Sequence, residues 1–109
     1  MIILPWLQND IVQYSREYAK ALQSFGVEPP FAVGVSLTNV KGCNFLQEYM
    51  EGAFLEHIPA AIIDRDELHF VEGVFENVPL NDQDCATQLR ATLDHMANAA
   101  GLPASQYLV

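Results

Sequence analysis

Asp64, Asp66, Glu67 and His69 fall within six consecutive positions of the stretch IDRDELHFVEGVFENV. Carboxylate oxygens and an imidazole this close together are the residue types that hold a divalent cation or move a proton in hydrolysis. The spacing argues against a metal loop, however. The segment lacks the central glycine and the distant bidentate glutamate of an EF-hand. In a strand, Asp64 and Asp66 share one face while Glu67 opposes them. A solvated polar turn is the better account, and a small metal-dependent hydrolase using Asp64, Asp66 and His69 is the least favoured reading.

The other chemistry-bearing residues are scattered. His57, His69 and His95 show no His-x-x-x-His spacing, and Cys43 and Cys85 no Cys-x-x-Cys spacing, so no zinc set is expected. Nothing in the sequence brings either cysteine to a histidine as a nucleophilic pair. There is no Gly-x-Ser-x-Gly elbow, and VGVSLTNVKG lacks the spacing of a phosphate loop. No catalytic centre, metal or cofactor is expected. Two cysteines make no disulfide framework, and both are read as free thiols.

Charge is the strongest signal. The formal net charge is −9. Between Glu48 and Asp84 lie ten acids and a single base, Arg65, which accounts for all of it. Such a chain has no cationic surface with which to displace counterions from a phosphate backbone, so direct nucleic-acid binding is not expected. A basic protein partner fits instead, with Asp64, Asp66, Glu67, Glu72 and Glu76 as the acidic face. The bland alternative is that these acids are simply the wet side of an antiparallel sheet. A third reading is a small phage or mobile-element inhibitor whose carboxylates imitate nucleic-acid phosphates and block a nucleic-acid-binding protein.

The elements that must position these residues come next. Residues 9–26, NDIVQYSREYAKALQSFG, predict a helix capped by Asn9 or Asp10 and stopped at Gly26. Ile11, Tyr14, Tyr18, Ala21, Leu22 and Phe25 would form its core-facing stripe. FAVGVSLT alternates strictly, with Phe31, Val33, Val35 and Leu37 on one side and small residues on the other. That small face is expected to receive close packing. Asn39–Gly42 predicts a turn, returning as an antiparallel strand over Cys43–Leu46. Tyr49–Leu55 suggests a short helix broken near Gly52. Leu68–Val78 predicts a strand bulged at Gly73. Residues 81–101 predict a second helix, capped by Asn81 or Asp82, with Leu89, Leu93, Met96 and Ala100 on its buried face. Trp6 is read as a core plug.

At 109 residues, with half of them hydrophobic, the chain is expected to be a single acidic α+β domain in which two helices pack on a small antiparallel sheet. No apolar run reaches the length of a membrane span, and MIILPWLQ lacks the features of a secretory signal. A cytoplasmic protein without membrane contact is expected, with self-association allowed.

Three stretches, PFAVGVSLTNVKGCNF, IDRDELHFVEGVFENVP and LRATLDHMANAAGLPASQYLV, resemble in order and character the C-terminal region of bacterial Schlafen-like ATP-binding proteins with a divergent Alba-type domain. The resemblance covers roughly residues 30–109. It implies a non-enzymatic accessory or sensor module from a bacterial regulatory or defence system. The nucleotide-binding residues of that family belong to its N-terminal domain, so none carries over here.

Overall fold

The computed structural model describes residues 1–46, 49–50, 53–54 and 62–108. Its frame is an antiparallel ribbon. The alternating stretch 31–38 provides β2 (Phe31–Val33) and β3 (Ser36–Thr38), and residues 67–75 provide β7 (Glu67–His69) and β8 (Gly73–Phe75). β2 pairs with β8 in the register Phe31↔Phe75, and β3 pairs with β7 in the register Ser36↔His69. Between the ladders, Gly34 and Val35 oppose three residues, Phe70, Val71 and Glu72, and Phe70 N–H donates to Val35 O at 3.1 Å. This is a β-bulge, one step before the glycine at which the sequence suggests it. Its effect is a change of parity. Leu68 and Phe70 point inward before it, and Gly73 and Phe75 point inward after it.

The predicted hairpin between 31–38 and 43–46 does not form. The turn itself does, with positive φ at Asn39 (56°) and Gly42 (83°). It docks on the 63–66 segment, where Val40 N–H reaches Asp66 O and Gly42 N–H reaches Ile63 O. β4 (Phe45–Leu46) instead pairs in parallel with β1 (Ile2–Ile3), which carries Phe45 into the core. β7 and β8 take the place of that hairpin and bring Phe70 and Phe75 into the core. Where a short helix is expected over 49–55, the described residues are strands: β5 (Tyr49–Met50) and β6 (Ala53–Phe54) form an antiparallel pair.

The first helix, α1 (Leu4–Ser24), begins five residues before the predicted cap. Pro5 stands in its first turn, where a missing N–H costs nothing, so no Asn9 or Asp10 cap is used. Gly26 at φ 85° closes it, with Val27 N–H returning to Leu22 O at 3.0 Å. The buried side is Leu4, Gln8, Val12 and Ala19, about one residue's rotation from the predicted stripe. Polar contacts select that phase: Gln8 Nε2 donates to Leu93 O at 3.0 Å, and Ser105 Oγ donates to Gln8 Oε1 at 3.3 Å, both buried. Tyr14, Tyr18, Leu22 and Phe25 consequently face outward, and so does Trp6, which is no core plug.

The second predicted helix divides at Leu89 into α2 (Asp82–Gln88) and α3 (Arg90–Ala99). Asn81 caps it as expected, its Oδ1 accepting from Asp84 N–H at 2.8 Å. Leu89, Leu93, Met96 and Ala100 are all fully buried, as their spacing predicts. They pack under the ribbon at Gly73, where an added Cβ would collide with the Leu89 side chain and crowd Thr92 Oγ1. The architecture is therefore α+β: α2 and α3 pack on β8, α1 packs on α2 and β1, and the other side of the ribbon is wet.

Candidate interaction surface on the wet face of the ribbon

The bulge decides which acids face solvent. Glu67 and His69 lie on the outer face before it, Val74 and Glu76 after it, and Glu72 projects from the bulge itself. α3 fixes that conformation through both ends of one residue. Val71 N–H donates to His95 Nδ1 at 2.8 Å, and Thr92 Oγ1 donates to Val71 O at 2.8 Å. His95 also stands edge-on to Phe70, with ring centroids 5.5 Å apart. At the far end, Glu76 N–H donates to Gln88 Oε1 at 2.9 Å, and Gln88 Nε2 returns to Asn77 O at 3.3 Å. Glu72 and Glu76 are thus held on a backbone that two helices brace.

The acidic run separates into two kinds of carboxylate. Asp82 meets Arg16 at 3.1 Å, and Asp84 accepts from Leu80 N–H at 3.0 Å, so these two serve the fold. Asp64, Asp66, Glu67, Glu72 and Glu76 are all exposed. Among the described residues, Asp64 pairs only with its neighbour Arg65, at 3.8 Å, with both side chains in solvent. Asp66, Glu72 and Glu76 make no side-chain ion pair among the described residues. Glu48, Glu51, Glu56 and His57 lie outside the described residues. At about 3.3 Å per strand residue, the nine steps from Glu67 to Glu76 extend along at most about 30 Å of ribbon.

One constellation was not legible in the sequence. Ser36 Oγ and His69 Nδ1 are 2.8 Å apart, and His69 Nε2 lies 3.3 Å from Glu67 Oε2. If the serine hydroxyl donates to Nδ1, then Nε2–H donates to the carboxylate, the order of a nucleophile, a base and an orienting acid. All three side chains stand in open solvent on a flat strand face. What the geometry supplies is a cross-strand clasp linking β3 to β7. Only the correct strand pairing places Ser36 opposite His69, and the predicted hairpin hid it. His69 is committed to this clasp and does not converge with Asp64 and Asp66. Among the described residues, no three His, Cys, Asp or Glu side chains gather as a metal site.

Cys85 is fully buried, with Sγ 3.4 Å from Val12 O, and Cys43 is half-buried; both are free. Burial, reinforced by nearby Asp82, pushes the Cys85 thiol up to about 11, so it is a poor nucleophile. Among the described residues, no helix is long and apolar enough to cross a membrane. Compared with protein-family models, curated proteins and solved structures, the chain matches none of them.

Proposed function

We infer that the wet face of the ribbon is a docking surface for a basic protein, and that the chain is a non-enzymatic interaction module. The observation that carries this reading is the division of the acids. Asp82 and Asp84 are consumed by the fold, while Asp64, Asp66, Glu67, Glu72 and Glu76 stand in solvent, Glu72 and Glu76 on a backbone braced by α2 and α3. Asp66, Glu72 and Glu76, which have no ion-pair partner among the described residues, are a standing electrostatic cost that an approaching cation relieves. Their spread favours a partner with several Lys or Arg side chains over a single cation. The same charge repels phosphate, so nucleic acid enters only as a competitor for the partner. The resemblance of residues 30–109 to an accessory region supports the same class of role.

The test is capture from the native host's lysate at low salt with wild-type protein and with Glu72→Lys/Glu76→Lys, followed by binding of the purified captured protein. A basic protein retained by the wild type and lost by the double variant is expected. Retention indifferent to the two charge reversals would remove the reading. Competition by DNA or RNA for the captured protein separates phosphate mimicry from simple docking.

A further inference from the structure

A second surface lies at the opposite edge of the ribbon, and it is apolar. Val35 O accepts from Phe70 N–H, so by ladder alternation residues 31, 33, 35 and 37 turn their N–H and C=O groups toward β7 and β8. Ala32, Gly34 and Ser36 therefore turn theirs the other way, where no strand pairs among the described residues. Residues 31–38 contain no charged residue and no proline, so this edge lacks the charge and proline guards against pairing with another chain. Beside it runs a groove of about 580 Å³ between the edge and α1, with Leu7, Ile11, Tyr14 and Tyr18 along its helical wall. An added Cβ at Gly34 would meet nothing within 4 Å.

The helical wall continues into an exposed aromatic stripe. Tyr14 is 66% exposed, Tyr18 71% and Phe25 83%. An aromatic side chain buries about 150–250 Å², so these three offer roughly 400 Å² per copy. A standard interface needs about 800 Å² from each partner. Leu22 and the exposed edge residues Ala32, Gly34 and Ser36 add to that area, and strand pairing would add main-chain hydrogen bonds to it. Charge points the same way. In a chain of net −9, α1 balances Asp10 and Glu17 against Arg16 and Lys20, and the strand is uncharged. Asp10 is the one charged side chain that lines the groove among the described residues, so two copies meet here with less repulsion than across the acidic face.

We propose that this edge and the α1 stripe form an isologous homodimer interface. β2 and β3 pair antiparallel with the same strands of a second copy, and the Tyr14 and Tyr18 stripes of the two α1 helices meet across the two-fold axis. The acidic face stays outside this contact, so the dimer presents that face twice.

Sedimentation equilibrium over the micromolar range tests the proposal. The wild type is expected to approach twice the 12.1 kDa of one chain as concentration rises. Tyr14→Lys/Tyr18→Lys changes only exposed side chains and is expected to weaken association by at least about tenfold with unchanged circular dichroism. Gly34→Pro removes an outward N–H while leaving the β7–β8 bonds in place, and is expected to do the same. A wild type that stays monomeric throughout, or a tyrosine variant that associates like the wild type, would overturn the interface. Association unchanged by Gly34→Pro in a folded protein would overturn the strand pairing. Glu72→Lys/Glu76→Lys is expected to dimerise normally, so this test and that of the acidic face fail independently.

Discussion

At the scale of the residue, the chain keeps its reactive groups quiet and its charges open. Cys85 is the clearest case. Burial holds its thiol protonated up to about pH 11, whereas the unfolded chain ionises it near 9. Above pH 9 the unfolded state therefore releases a proton that the native state retains. The thiol's contribution to stability is complete below pH 9 and is lost as pH rises from about 9 to about 11. Denaturant midpoints measured across that window are expected to fall for the wild type and to fall less for Cys85→Ala. At neutral pH, thiol titration of the native protein is expected to modify Cys43 before Cys85. Gly73 is constrained for a different reason. Its missing side chain lets β8 lie on Leu89 and Thr92, so Gly73→Val is expected to cost about 1–3 kcal/mol in chemical denaturation.

At the scale of the element, the bulge at Phe70–Glu72 connects the core to the surface. It reverses the inward parity of the strand, so Leu68, Phe70 and Phe75 are all buried or half-buried while Glu67, Glu72 and Glu76 are all exposed. A continuous ladder would have turned one of these groups the wrong way. Thr92 and His95 hold the bulge by bonding the carbonyl and amide of Val71. Thr92→Val leaves that carbonyl short of its partner and is expected to destabilise by about 1–3 kcal/mol. Faster amide exchange at Val71 is expected in His95→Ala, with exchange elsewhere in α3 little changed. Much of this scale was legible in the sequence. The alternation of 31–38, the stop at Gly26, the cap at Asn81 and the face Leu89, Leu93, Met96 and Ala100 all follow from local chemistry. Strand pairing did not, because proximity favours a hairpin from 38 to 43 while the deciding apolar face lies some thirty residues on. The phase of α1 was hidden too. Tyr14, Tyr18 and Phe25 make the larger apolar stripe, but Gln8 finds its partners on α3 and near the C-terminus, and those fix the rotation.

At the scale of the whole molecule, the chain is polarised. Helices and apolar strand faces meet inside, an aromatic stripe on α1 lies beside an edge that no strand pairs among the described residues, and carboxylates line the wet face of the ribbon. The composition announced the charge, and the sequence set Asp82 and Asp84 apart at a helix start, but only the fold shows what they bond: Arg16 and the Leu80 N–H. The exposed acids are expected to make partner binding strongly dependent on ionic strength, since screening at about 0.1 M acts over roughly 10 Å. The measurement that tests the central claim most directly is the salt dependence of Kd for the captured basic protein, with wild type and Glu72→Lys/Glu76→Lys side by side. The account predicts affinity that falls steeply with salt for the wild type, and a double variant that is weaker at low salt with a shallower slope. Equal affinities and equal slopes for the two proteins would contradict it.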